Sequence, residues 1–397
     1  MKNIFKVVTA ALGVFCLASC GENVSKTNEV NFPGIGYGER DFVAIKDLNQ
    51  HIVVGEKVQI PLDVMPANYS SKIVFESKNP SVVTVGDSGE MTAIAKGKTM
   101  VYVKTSDGAL IGKVNVLVSK GDDSDVESTI NSIKATYNDS SYVAPTKAHK
   151  REFSHEIYYQ NGKVDHSYVS TEEIYFDVGK CYFMVSSDDI QTYTVDGGKE
   201  ISSGKWIFQV QGMKLRMIHI TDIAKTYLDF NIADPKYDDP VESIYDVLDM
   251  FFVQGRKIAN DLLEDYSGKK DFMLFAPGFG SSEYKFYADG NNNLYIGEKF
   301  TQSNRVVSTD DELNYYDMRE GTVYTDTEDY KFFFDGASCS GYTVGAVYDY
   351  KVDNVPWKRD FLRSMQFDVD YQIEEYKALD DEMKLAGWTK VTNLYDL

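Results

Sequence analysis

Alternation is the feature that most constrains what this chain can fold into. Over most of its length, short runs rich in Val, Ile, Tyr and Phe place apolar and polar residues on alternate positions. Successive side chains of a strand point to opposite faces, so a period of two commits each run to a strand with one buried face. Phe367, Val369 and Tyr371 against Asp368, Asp370 and Gln372 are the cleanest case. Turn residues separate the runs: Asn161-Gly162-Lys163 after Glu156–Gln160, Gly179-Lys180 between Glu172–Val178 and Cys181–Val185, and Gln211-Gly212 between Trp206–Val210 and Leu215–Ile220. With Tyr (28) and Phe (22) abundant and Pro (9) scarce, twisted antiparallel sheets suit the chain better than helical bundles. The expected fold class is mostly β, with strands joined as antiparallel meanders.

A length of 397 residues points to two or three domains, and 43% hydrophobic against 26% charged residues excludes wholesale disorder. The formal charge of −20 repels phosphate backbones, so no nucleic-acid partner is expected. Five His and four Cys are too few for a multi-metal thiolate site.

Lys2 and Lys6 precede an apolar run, Val7 to Leu17, too short to span a bilayer. A signal peptide is the expectation for residues 1–19. The run ends in Leu17-Ala18-Ser19-Cys20-Gly21, which resembles the lipobox of bacterial lipoproteins. The resemblance implies cleavage before Cys20, an S-diacylglycerol on its sulfur, N-acylation in addition in some such proteins, and palmitate among the acyl chains. The bland alternative is an ordinary signal peptide with a coincidental Cys. Acyl chains, at about 0.8 kcal/mol per buried methylene, would hold the chain on the outer face of the cytoplasmic membrane or on an outer membrane. Residues 20–40, polar and Gly-rich, read as a tether.

From Asp41 to Ser119, strand-like runs recur at about ten-residue intervals, the mark of a β-sandwich. Gly55-Glu56, Pro66, Phe75 to Asn79, Val82 to Val85, Gly89 to Ala93, Lys96-Gly97 and a closing Val-x-Val resemble the group 2 bacterial immunoglobulin-like domain, with Phe75 where that family usually has Trp. The resemblance implies a cell-surface module, adhesive in some proteins and a spacer in many. A single copy beside a tether favours a spacer.

Residues 120–125 form an acidic linker ending at Asp125, an expected helix N-cap. Val126, Ile130, Ile133 and Tyr137 then recur at helical spacing. The rest of 126–397 reads as about six strands, a helix, about six more strands and a final helix. Asp239-Pro240-Val241-Glu242 opens the middle helix, which runs to about Tyr266; the last covers about Ile373 to Leu385. This β-rich α+β domain is faintly similar, in element order alone, to the half-barrel of bacterial lipoprotein carriers, where a curled sheet encloses an apolar cavity under plug helices. A plain α+β domain is the alternative.

No catalytic residue is expected. Ser202-Ser203-Gly204-Lys205 matches a loose Ser-x-x-Lys pattern, but it precedes the strand at Trp206 and reads as a hairpin turn. No metal ligand or cofactor is expected either. His149, His155 and His166 read as solvated histidines, and Asp289-Gly290-Asn291-Asn292-Asn293 lacks the Gly and Glu that a calcium loop requires. Asp234, Asp238 and Asp239, like Asp380-Asp381-Glu382, read as solvated faces that could hold calcium outside the cell. The strand aromatics, among them Tyr158, Tyr159, Tyr182, Phe183, Trp206, Phe208, Tyr284, Phe286, Tyr287 and Phe332 to Phe334, fit either a two-sided core or one face lining a ligand cleft. Cys181 and Cys339 form an even pair outside the cytoplasm; a disulfide and two buried thiols are both open readings.

The leading functional expectation is a non-enzymatic, membrane-anchored surface lipoprotein whose Ig-like spacer presents a domain for an apolar or glycan-like ligand, or for a partner protein. The alternatives are an adhesive protein acting through the Ig-like domain, and a surface hydrolase with unrecognised carboxylates.

Overall fold

A computed structural model describes residues 42–65, 72–108, 110–122, 125–139, 147–177, 182–193, 199–211, 214–220, 225–231, 266, 268, 271–276, 280–306, 322–336, 338–368 and 389–392. Among them, no helix is long and apolar enough to cross a membrane. The expected lipobox and tether, and the helices expected at 241–265 and 373–385, lie outside the described residues.

The first module holds nine strands. They are β1 (Phe42–Ile45), β2 (Asn49–Val53), β3 (Lys57–Gln59), β4 (Leu62–Met65), β5 (Ile73–Ser77), β6 (Val83–Val85), β7 (Glu90–Ala93), β8 (Gly97–Thr105) and β9 (Leu110–Ser119). A four-stranded sheet ordered β2-β9-β8-β5 and a three-stranded sheet ordered β3-β7-β6 are accompanied by the pair β1-β4. Alternation builds the core: Val101 and Val103 of β8 and Val114, Val116 and Val118 of β9 all point inward, against Ile52, Val83 and Met91. Phe75 packs at the edge of this core, as an apolar replacement for Trp should.

Helix α1 (Val126–Asn138) follows. Asp125 holds its N-cap position, but the carboxylate caps no N–H, contrary to expectation. It turns instead to Lys96 of the first module, 2.5 Å away.

The large sheet has thirteen strands, built as two meanders of six. One meander is β10 (Lys147–Gln160), β11 (Lys163–Asp177), β12 (Tyr182–Tyr193), β13 (Lys199–Gln211), β14 (Lys214–Ile220) and β15 (Lys225–Asn231). The other is β16 (Asp271–Ala276), β17 (Gly280–Ala288), β18 (Asn293–Val306), β19 (Val323–Asp335), β20 (Ser338–Val352) and β21 (Val355–Asp368). They join where β21 pairs antiparallel with β10, and the sheet stays open rather than closing into a barrel. The chain's tail returns as β22 (Thr389–Lys390), parallel to β15 at one edge, where only a tail was expected.

Many strands are longer than the apolar runs that announced them. Polar stretches pair with polar stretches: Ser202 lies opposite Asp189, Ser203 opposite Asp188 and Gly204 opposite Ser187. Ser202–Lys205 is therefore strand interior, not the expected hairpin turn. The strand that carries Phe367 begins at Val355, because Asp353 (φ 51°) and Asn354 (φ 67°) make a two-residue turn before it. Asn161 (φ 52°) and Gly162 (φ 74°) make the matching turn between β10 and β11.

The sheet is covered on both faces. On the inner face, Val126, Ile130 and Ile133 of α1 pack on Phe286, Ile296, Phe332 and Phe334. On the outer face lies the Ig-like module. The outward positions of β9 between its core valines, Asn115, Leu117 and Ser119, are all buried. Leu48 N–H donates to Ser364 Oγ at 2.9 Å, Asn115 Nδ2 to the Ser340 carbonyl at 3.1 Å, and Thr343 Oγ1 to Asp47 Oδ1 at 3.0 Å. Lys331 completes the set on Asp47 at 3.1 Å. Lys98–Asp335 (2.6 Å) and Lys113–Asp368 (2.7 Å) close the rim, and His51 stacks on Tyr287 and Tyr295 with centroids 4.2 and 4.6 Å away. The module is thus packed against the sheet, where the sequence suggested a separate spacer. The strand aromatics described here belong to a two-sided core: Phe332 and Phe334 under α1, Phe333 with Tyr295 on the module's side.

Candidate functional site

Antiparallel partners share a face, and this places every residue of β10. His149, Arg151 and Phe153 pair with Asp368, Gln366 and Ser364, so they lie on the outer face with the Ig-like module. Lys150, Glu152, Glu156 and Tyr158 lie on the inner face.

The inner face carries paired charge. Lys150, almost fully buried, bridges Glu152 and Glu172 (3.0 Å), and Arg363 closes on Glu152 from β21. Burial alone would raise the Glu152 carboxyl, but Lys150 and Arg363 outweigh it and bring the pKa down to about 2. Burial would likewise depress Lys150, yet its two carboxylates leave the ammonium above its ordinary value. Further along, Arg359 pairs with Glu156 at 3.0 Å, and the Tyr158 hydroxyl donates to Glu156 at 2.8 Å. Tyr330 and Tyr348 both donate to Glu328, and Tyr284 to Glu298 at 2.9 Å. The inner face thus carries these paired carboxylates beside the aromatic core under α1.

The outer face leaves a recess. Where β1 and β9 of the module approach β10 and β11, a cavity of about 210 Å3 opens. Its walls are mixed: Val43, Ala44, Ile45, Leu48, Ile111 and Phe153 supply apolar surface, and Glu152, Thr171, Glu172 and Glu173 line it beside them. Its polar end is Arg151, whose Nε meets Glu173 Oε1 at 2.7 Å. Arg151 Nη1 is buried and has no hydrogen-bond acceptor among the described residues. Gly112 makes room: a Cβ there would lie 3.2 Å from Arg151 Nη1 and 2.5 Å from Ile45 Cδ1. His149 sits beside Glu173, 3.9 Å from it. Burial lowers its imidazole to about 4, with Glu173 opposing the shift and Arg151 and Lys113 adding to it.

The residues singled out in the sequence fall elsewhere. Cys20 and Cys181 lie outside the described residues, as do Asp234, Asp238, Asp239 and Asp380-Asp381-Glu382. Cys339, at the start of β20, is a free thiol packed against the α1 core; burial raises it to about 11, and its Sγ donates to the Gly341 carbonyl at 3.4 Å. His149 and His155 share the outer face but stand six residues apart on one strand, and His166 pairs with Tyr158 on the inner face, its ring centroid 4.3 Å from the tyrosine's. The three do not converge, and His149 is buried rather than solvated. No cluster of His, Cys, Asp or Glu among the described residues is arranged to hold a metal ion. In the Asp289–Asn293 hairpin, Asp289 is buried and its carboxylate accepts from the Asn291 and Asn293 backbone N–H groups and from Asn293 Nδ2. The sequence reading missed Arg151, Ile45 and Phe153. One signal was present: Gly112 interrupts a Val-rich strand, the usual mark of a close approach by another group.

Residues 41–114 match the family described as Bacterial Ig-like domain (group 2), whose members occur in bacterial surface proteins. No curated protein matches the chain. Solved structures similar to it include an S-type phycobiliprotein lyase, CPES, from Guillardia theta: 6% identity, 55% of this chain and 86% of that one, TM-score 0.15. A beta-barrel-like protein, a domain of unknown function from Brucella abortus, has 9% identity over 58% of this chain and all of that one, TM-score 0.18. A protein of unknown function from Bacteroides ovatus has 7% identity over 84% and 97%, TM-score 0.14. Likeness at this level carries no argument about fold or activity.

Proposed function

Starting from an Ig-like module of the group 2 bacterial class packed against the sheet, we propose that the chain is a lipid-anchored surface lipoprotein, non-catalytic, whose module and sheet form one binding head. Leu17-Ala18-Ser19-Cys20 supports the anchor, with Cys20 as the acylated residue. The non-catalytic reading draws support from Ser202–Lys205, which runs through the interior of β13 rather than at a helix start. One observation carries the binding reading: the tightly bonded interface gives way, at one end, to a recess that ends in a buried donor without an acceptor. Buried polar groups are normally satisfied, so an orphan at the end of a cavity marks a place for a ligand atom.

Native mass spectrometry of the chain purified from its own membranes tests this. The expected result is a small bound species that disappears in Val43→Trp, where the indole fills the recess. A spectrum without any bound species would remove the reading. For the anchor, Cys20→Ala should abolish labelling by radioactive palmitate and leave the chain as uncleaved precursor or soluble product.

A further inference from the structure

We propose that the recess between Ile45 and Arg151 binds a small carboxylate with an aliphatic body, the carboxylate on Arg151 and the chain along Ile45, Leu48 and Phe153. The inference rests on the binding-head reading above and assigns its ligand class. The polar end decides the head group. A guanidinium offers five N–H donors, and Arg151 directs one side of its fork at Glu173. Nη1 lies at the recess beside Gly112, buried and without an acceptor among the described residues. A buried donor left unmade is costly, and a bond to an ionised oxygen recovers about twice what a neutral one does. The other charges near the recess have partners: Glu173 has Arg151, Glu152 and Glu172 have Lys150, and Lys113 has Asp368 at 2.7 Å.

The walls decide the body. Val43, Ala44, Ile45, Leu48, Ile111 and Phe153 supply the apolar part of the lining, and Thr171 and Glu173 stand beside Arg151 on the outer-face positions of β10 and β11. Ile45, Leu48 and Phe153 give an aliphatic body an apolar surface to lie on. The volume of about 210 Å3 equals about seven waters at roughly 30 Å3 each, which suits a ligand the size of hexanoate.

The experiment is calorimetric titration of the full chain carrying Cys20→Ser, which removes the acyl chains, with hexanoate and with hexan-1-ol. Hexanoate should bind saturably, hexan-1-ol at least tenfold more weakly, and Arg151→Gln should weaken hexanoate at least tenfold. Val43→Trp, which leaves the Arg151–Glu173 pair untouched, should abolish binding and serves if Arg151→Gln does not fold. Equal binding of acid and alcohol, or full binding by Arg151→Gln, overturns the assignment. A head that carries a co-purified species yet refuses hexanoate overturns the carboxylate and leaves the binding-head reading standing; a recess empty in both experiments removes both.

Discussion

Asn49 Nδ2 donates to the carbonyl oxygen of Met365 at 2.8 Å, across 316 residues of chain. The same carboxamide accepts from Asn115 Nδ2 at 3.3 Å, so one fully buried side chain ties β2, β9 and β21 together. Gly341 lies beneath it, and a Cβ at that position would overlap the Asn49 carboxamide.

Asn49→Leu removes the donor and leaves the Met365 carbonyl and an Asn115 N–H to find other partners. A loss of about 1–3 kcal/mol is expected from orphaned buried groups. Gly341→Ala should cost a similar amount by pushing the carboxamide aside, and the double variant should fall short of the sum, because both changes break one contact. Urea unfolding of the three variants measures this; strict additivity would mean the contact is absent in solution.

His149 gives stability a pH dependence of definite sign. The folded imidazole titrates near 4, against about 6.5 in an unfolded chain. Stability is full above pH 6.5 and falls by about 3 kcal/mol as the pH drops to 4, since the unfolded state takes up the proton first. His149→Gln should remove most of that slope. His155, also lowered by burial, keeps the remainder. Glu152 acts in a separate window: its stabilisation is lost only as the pH falls from about 4.3 toward its folded value of about 2. Unfolding curves at pH 7.0, 5.5, 4.5 and 3.0 resolve the two, and an unchanged slope above pH 4.5 in His149→Gln refutes the assignment.

Lys150→Met strands Glu152 and Glu172 on the inner face with Arg363 as their remaining neighbour. A cost of about 3–5 kcal/mol is expected for breaking a buried pair from one side. Adding Glu152→Leu should recover part of it, since the uncompensated charge is removed with its partner. A double variant less stable than Lys150→Met would contradict this account of the network.

Cys339 should react with Ellman's reagent only after unfolding, given a buried thiol raised to about 11. Cys181 lies outside the described residues, and parity alone motivates a Cys181–Cys339 disulfide. Thiol counting on denatured, unreduced mature protein decides between the two readings: two titratable thiols mean no bond, and none establishes it.

What the sequence determined by itself is local. The period of two fixed the strands: Ile73–Ser77 and the valines of β9 could be read directly, because a strand's two faces are set by adjacent residues. Two meanders of six strands and the α1 stripe of Val126, Ile130 and Ile133 were legible for the same reason. Only the tertiary structure decided which polar positions are covered. Asn49 and Asn115 look like the solvent side of a sandwich, and Lys150-Arg151-Glu152 looks like an exposed charged run. All five are buried or nearly so: Asn49, Asn115 and Arg151 where the module meets the sheet, and Lys150 and Glu152 in their own ion-pair network. A sheet closed on one side alternates visibly, whereas a sheet covered on both sides by polar contacts keeps the same alternation. The difference lies in partners some 300 residues away, and no local pattern records it. The recess follows from that docking, since Ile45 and Arg151 meet only where the module and the sheet fail to close.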